Sequence, residues 1–490
     1  MSPHPIIKKT AVMTLSTLFA QGVGVFTSVA MRNALSPASM GVWSILQVIL
    51  GYCGYASFGT TKALARDYPI LQGRGEFSKA EGIKNLTFTF AMTMSMIPAA
   101  GILIACAIYG HRLEGTLRTG LIFVAFFLFI QRFYDLLITL LRSEKKFTML
   151  SFITSLNAVG MFLAVFLLVR PFGFYGLLGG TAFLSFVLLL VICSKERYRF
   201  KLYWSRSQFM EQVKLGLPLL LLSFLATFFS GLDKLLIARH LGLTEVGHYS
   251  LAMMVSSLVM SFPMMLSNVL YPHTMERFGR SSAPRELASY LHRPVMMTAA
   301  AVPLLGGAAA ILMPLVSEAF MKDYTAGLEP MRIYLGGLYF LVLAQFSTNI
   351  LTALDRYWIS IGVLAVSIGI QWIVSTQMMA HGFGLKGAAL GAALSFFCYG
   401  IANYTAASFF VEGGTDALKR IITMLALSFS SAGGVLGIYQ LKLPVNILAD
   451  TGLKLCILAG LAAFFLMILE RLQPFIYQIV SFRQSRAKDL

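Results

Sequence analysis

The chain has 490 residues, of which 57% are hydrophobic and only 12% charged, and its formal net charge is +18. A soluble domain carries about 25% charged residues, and here the apolar excess falls in blocks of roughly 20 residues, the length that crosses a bilayer core. A soluble globular fold is excluded, and with no room for a soluble basic domain the charge does not point to nucleic acid.

Apolar runs set against polar breaks predict about fourteen membrane helices. In chain order the first six cover roughly 10–31, 42–59, 85–109, 117–141, 149–169 and 175–193. The next six cover roughly 215–238, 249–271, 293–319, 331–353, 358–379 and 387–410. Two more, at about 420–440 and 450–470, precede a polar tail. Gly306, Gly307 and Pro314 interrupt the ninth run, so the ninth and tenth boundaries are the softest.

With the N-terminus inside, the inner loops and tails hold roughly 27 of the 39 Lys and Arg, as cytoplasmic segments do. A missed span would invert that bias downstream, and it never inverts. The expectation is a multi-pass protein of the bacterial cytoplasmic (inner) membrane with both termini cytoplasmic. The first apolar run leads into Met31–Pro37 rather than a small-residue cleavage site, so no cleavable signal peptide is read. Five scattered cysteines form no CxxC pair and read as small buried hydrophobes.

Two pairs of segments repeat. Leu35–Ser44 (LSPASMGVWS) and Leu241–Ser250 (LGLTEVGHYS) share Leu, Gly, an aromatic and Ser in register. Gly173, Gly176, Gly180 and Ala182 have the spacing GxxGxxxGxA, which Gly384, Gly387, Gly391 and Ala393 reproduce. Small residues so spaced let helices approach closely in lipid. Spans 1–6 and 7–12 therefore read as two copies of one six-helix unit, related by a pseudo-twofold axis along the membrane normal. The expected division is a lobe over 1–200, a second over 201–412, two added helices over 413–470 and a basic cytoplasmic tail over 471–490. The fold class is all-α and polytopic.

Intramembrane polar groups are the functional candidates, because each costs about 2.5–3.5 kcal/mol at a span centre. Asp233 and Lys234 are adjacent in span 7 and point about 100° apart, so they do not simply neutralise one another. Either Asp233 pairs elsewhere in the bundle while Lys234 snorkels outward, or both stand at the edge of a wet cavity. In span 4, Gln131, Arg132, Tyr134 and Asp135 cluster, and Arg132 and Asp135 share a face. That pair is either a helix tie or a substrate contact. Gln21, Arg32, Gln47, Arg239, Asn268 and Lys454 complete the candidates, with Lys62 and Arg66, which also suit simple membrane anchors. Cations exceed acids in this set, which suits an anionic headgroup. Among the histidines there is no HExxH, and no GxxxxGK[ST] loop occurs, so the chain is not read as an enzyme, and no cofactor is expected.

Asp233 in the first helix of the second half, followed by Gly242, Gly247 and Tyr249, resembles the polysaccharide transporter family. Its members are the O-antigen and exopolysaccharide flippases of the multidrug/oligosaccharidyl-lipid/polysaccharide superfamily. The paired halves and the glycine repeats extend the likeness to about residue 410, and the fourteen spans are similar to longer members such as lipid II flippases. The resemblance implies a V-shaped pair of lobes around a central cavity. It also implies transport of a polyprenyl-diphosphate-linked oligosaccharide from the inner to the outer leaflet by alternating access. Implied partners are membrane lipids and, in the pathway, a polysaccharide polymerase and glycosyltransferases; whether an ion, H+ or Na+, is coupled at all is open. The alternatives are a cation-coupled multidrug exporter of the same fold and a scaffold subunit of a polysaccharide-synthesis complex. In the first half Trp43 stands where Tyr249 stands in the second, and span 1 has no acid matching Asp233.

Overall fold

A computed structural model describes residues 4–281, 283–441 and 447–472. Among these the secondary structure is helical throughout, with no strand. That is what an apolar chain must do in lipid, where every backbone N–H and C=O needs a partner inside its own segment.

The chain divides into two compact units, Met1–Ser250 and Leu251–Leu490. The first holds α1 (His4–Ala34), α2 (Pro37–Cys53), α3 (Thr60–Gly73), α4 (Phe77–Tyr109), α5 (Gly115–Ser143), α6 (Phe147–Ala164), α7 (Arg170–Glu196) and α8 (Arg206–His240). It also takes the start of α9 (Leu243–Ser281). The second unit holds the rest of α9 and then α10 (Ala288–Phe320), α11 (Leu328–Ala353), α12 (Tyr357–Met378), α13 (Gly384–Glu412), α14 (Gly414–Gln440) and α15 (Ile447–Leu472). The division falls later than the repeat boundary at 200/201, because α8 packs on α2 and α3. Residues 473–490 of the expected tail lie outside the described residues.

Ten helical stretches are long and apolar enough to cross a membrane, and an eleventh is the bent pair Pro37–Ser57 and Thr60–Gly73, which turns by 56°. Two of the ten, Phe147–Glu196 and Tyr357–Glu412, are each two helices folded back on one another. Counting those two twice gives thirteen crossing segments among the described residues, and α1, at 31 residues, is the fourteenth helix of the expected set. Helix α9 runs on to Ser281, past the apolar run that ended near 271, and α10 continues unbroken through Gly306, Gly307 and Pro314. Gly307 serves packing there: a Cβ would lie 2.5 Å from Val435 of α14.

The glycine repeat has a structural meaning. Gly173 (φ 55°, ψ −133°) and Gly384 (φ 54°, ψ −135°) adopt the same left-handed backbone, which side chains strongly disfavour. Each follows a π-helical turn, Val165–Val169 or Met379–Phe383, and reverses the chain between two spans. The next two glycines let the paired helices touch. A Cβ on Gly176 would overlap the Leu168 carbonyl, and one on Gly387 would meet Met378 at 2.7 Å. Likewise Gly180 packs against Ala164 and Gly391 against Ser375. Sequence repeat and hinge coincide.

Candidate functional site

The second apolar run does not make one straight helix. Ser36 caps α2, accepting from the Ser39 N–H, and Pro37 takes the first turn, where its missing donor is harmless. The helix then gives way at Gly54–Ser57, a short 3-10 turn, and Phe58 (φ 46°) and Gly59 (φ 84°) carry the chain into α3. The break holds because Gly59 meets Gly216 of α8 backbone to backbone, within the space a Cβ would occupy. Carbonyls freed by such a break need partners, and irregular backbone at membrane depth is tolerated where it lines a cavity.

A cavity of about 380 Å³ lies there. Its polar wall is Gln47 of α2, Thr61 and Lys62 of α3, and Gln131, Arg132 and Asp135 of α5. Arg132 Nη1 donates to the Gly54 carbonyl (3.1 Å) and stands 3.4 Å from Asp135 Oδ2. Gln131 donates to the other carboxylate oxygen at 3.0 Å. A Cβ on Gly54 would come within 2.8 Å of the guanidinium, so a bare backbone is what lets Arg132 reach the broken turn. The Arg132 side chain is 13% exposed and that of Asp135 41%, so the arginine is embedded in the wall and the carboxylate opens into the space. Tyr55 closes the far side, its hydroxyl donating to the Ser223 carbonyl of α8 and sharing a short hydrogen bond with Thr227. The arrangement offers two cations, two amides, one carboxylate and hydroxyls around a polar-lined space. It suits an anionic, hydroxyl-rich group.

Five candidates thus converge: Gln47, Lys62, Arg132 and Asp135, with Gln131 beside them. Tyr55, Thr61 and the Gly54 carbonyl join them without having been singled out. Their signal was the run of small residues Gly51, Gly54, Ala56, Ser57 and Gly59 inside an apolar segment.

Asp233 and Lys234 lie elsewhere. Asp233 is 1% exposed, accepts the Lys234 N–H at 2.8 Å and neighbours Tyr249, which is itself fully buried. Lys234 is half-buried and lines neither described cavity. Arg32, also buried, donates to the Ser250 carbonyl (2.9 Å) and hydroxyl (3.1 Å), tying the end of α1 to α9. The two LxxxxxG segments meet at the same end. A Cβ on Gly41 would overlap the Leu243 carbonyl, and one on Gly247 would overlap the Pro37 carbonyl. Leu243 occupies in its segment the place of Pro37 in the other, so the contact is reciprocal, as a local twofold requires.

The remaining candidates are dispersed. Gln21 is half-buried on α1, Arg239 is exposed at the end of α8, and Asn268 is exposed on α9. Arg66 is exposed and 3.8 Å from Asp67. Lys454 pairs with Asp450 at 2.8 Å within α15.

A family model described as polysaccharide biosynthesis protein matches residues 34–326. The chain belongs to that family. The match runs through both LxxxxxG segments, the broken second span and Asp233. Among curated proteins none matches. Of the solved structures it is similar to, a lipid II flippase, MurJ, in an inward closed conformation gives a TM-score of 0.71 at 14% identity, covering 94% of this chain and 99% of the other. An inward-facing multidrug resistance MATE family transporter of the MOP superfamily gives 0.66 at 14% identity, covering 86% and 99%. A MOP superfamily transporter from Pyrococcus furiosus gives 0.60 at 15% identity, covering 86% and 96%. This polysaccharide biosynthesis protein therefore has the multi-pass fold of that transporter superfamily, as the resemblance implied.

Proposed function

We propose that the protein is a flippase that carries a polyprenyl-diphosphate-linked oligosaccharide, the repeat unit of an O-antigen or exopolysaccharide, from the inner to the outer leaflet. The observation that carries the reading is the cavity at the broken second span, where Arg132 and Lys62 stand among Gln47, Gln131, Asp135 and Thr61. Arg132 has the planar fork that matches phosphate oxygens, and the amides and carboxylate supply partners for sugar hydroxyls. Membership of a polysaccharide biosynthesis family supports a glycan cargo.

In this reading the repeats over 1–200 and 201–412 move as lobes in alternating access. The Arg32 contacts with Ser250 and the reciprocal Gly41 and Gly247 contacts seal one end of the path. Both termini lie in the cytoplasm, the membrane is the bacterial inner membrane, and the polymerase and glycosyltransferases of the same pathway are the working partners.

The test is depletion of the protein in cells, with leaflet-resolved measurement of lipid-linked oligosaccharide. The expected result is accumulation on the cytoplasmic leaflet, relieved by wild type and not by Arg132→Gln at equal abundance. Absence of accumulation with raised sensitivity to cationic drugs would overturn the reading in favour of a multidrug exporter. Loss of a synthesis complex on depletion, restored by Arg132→Gln, would favour the scaffold.

A further inference from the structure

The proposed transport site leaves unused a charged recess in the second unit. There α13 ends at Glu412, Gly413 (φ 88°) turns the chain, and α14 begins at Gly414 beside the start of α10. A cavity of about 560 Å³ lies between these ends, its polar lining being Arg285, Glu412, Asp416, Lys419, Arg420 and Thr423. On α14 the four polar residues fall at i, i+3, i+4 and i+7, which is one helix face.

Behind the recess the charges are already engaged. His292, 4% exposed, shares a 2.7 Å hydrogen bond between Nδ1 and the Tyr404 hydroxyl, and its Nε2 is 3.1 Å from Glu412. Arg420 stands 3.6 Å from the same carboxylate. Arg420 is thus already committed to Glu412. Arg285 and Lys419 form no ion pair among the described residues, and both are exposed to the recess. Two cations are thus available to an anion, and Asp416 offers an acceptor to a hydroxyl or ammonium carried by the same ligand.

Depth says what kind of ligand this is. Every lining residue lies within about two turns of an end of the apolar stretches Pro284–Phe320, Tyr357–Glu412 and Asp416–Gln440, all at one end of those spans. That is the level of lipid headgroups. Beside the recess Leu418 and Ile422 are exposed on α14, and the exposed stripe continues at Phe429 and Leu436. Phe409 and Phe410 are exposed on the last turn of α13. A soluble anion would need only the cations; a lipid uses the apolar track as well.

We propose that this recess is a second lipid site, which takes the phosphate of a membrane lipid between Arg285 and Lys419 and lays its chain along the exposed face of α14. The site is separate from the cavity at the broken second span. It depends on α14, one of the two helices read as additions to the six-helix repeat.

The experiment is lipid binding to the purified full chain by native mass spectrometry in detergent. Phosphatidylglycerol and undecaprenyl phosphate serve as phosphate-bearing probes, diacylglycerol as the phosphate-free one, and inorganic phosphate as the soluble competitor. The variants are Arg285→Gln, Lys419→Gln and the double change, with Arg132→Gln as a control for the other cavity. The double variant is expected to lose affinity for both phosphate lipids by on the order of tenfold, each single variant by less, and Arg132→Gln to retain this site. Diacylglycerol is expected to bind weakly and equally in all. Unchanged binding in the double variant, or diacylglycerol bound as tightly as the phosphate lipids, would overturn the proposal. Displacement of lipid by millimolar inorganic phosphate would reassign the recess to a free anion and overturn it equally. Should the double variant not fold, the charge-keeping Lys419→Arg against Lys419→Gln gives the same contrast, with retention in the first and loss in the second.

Discussion

Two groups of intramembrane charge in the first unit have opposite surroundings. Arg132 and Asp135 border a polar-lined cavity, with the carboxylate 41% exposed. Arg32 and Asp233, at 7% and 1% exposure, are closed in by Ser250, Tyr249 and the backbone of the Gly41 and Gly247 segments. Residue type does not separate them. What separates them is whether the helix carrying the neighbouring backbone is broken, as at Gly54–Gly59, or intact and tightly packed, as at Gly41. A charge at the cavity wall can meet a ligand as well as a structural partner, whereas a sealed one serves the packing alone.

That contrast is open to attack by substitution. The largest effect is expected for Gly247→Val, whose side chain would drive into the Pro37 carbonyl. Backbone cannot step aside as a flexible side chain can, so a destabilisation of about 3 kcal/mol or more is expected, visible as lost folded protein in a detergent thermal-melt assay. Next is Arg132→Gln, which removes a charge-assisted contact worth about 1.5–3 kcal/mol. Transport per folded molecule should fall by roughly ten- to hundredfold, with a modest drop in melting temperature from the Gly54 carbonyl left without its donor; lost stability with transport per folded molecule unchanged would put Arg132 with the sealed group.

Asp233→Leu should behave in the opposite way. Stability should fall by about 1–3 kcal/mol, as one buried acceptor is removed from the Lys234 N–H, and transport per folded molecule should stay constant. Lys62→Gln tests the exposed rim and should weaken substrate binding by an amount equivalent to under about 1 kcal/mol, an effect that vanishes in high salt.

The smallest effect lies outside the spans, at the α5–α6 turn. Burial raises the Glu144 pKa, but hydrogen bonds from Lys146, Tyr198 and Tyr68 outweigh it and leave the carboxyl below its usual value. A depressed folded value means that the contribution is complete above the unfolded pKa and is lost as pH falls through the folded one. Acid should therefore loosen the anchorage of the segment after α7, read as faster proteolysis near Tyr198, and Glu144→Gln should flatten that pH dependence.

Much of the architecture was legible because its causes are local. Twenty apolar residues demand a helix, and the glycines of GxxGxxxGxA mark a hinge that only Gly173 and Gly384 can adopt, so the fourteen spans and the repeat could be read directly. The position of the cavity could not. Residues 42–59 read as one continuous span, and the bend arises from the Gly59–Gly216 contact, which joins segments far apart in sequence. For the same reason the cost of burying Asp233 marked it as a candidate, while its partner Tyr249 becomes a neighbour only when α8 and α9 fold together.

The most direct measurement is flipping of a polyprenyl-diphosphate-linked oligosaccharide by the purified protein in proteoliposomes, comparing wild type, Arg132→Gln and Asp233→Leu at equal folded amounts. Rapid leaflet exchange in wild type and in Asp233→Leu, with Arg132→Gln slowed by at least tenfold, is the predicted result. Exchange by Arg132→Gln at the wild-type rate would contradict the assignment of the cavity at the broken second span as the transport site.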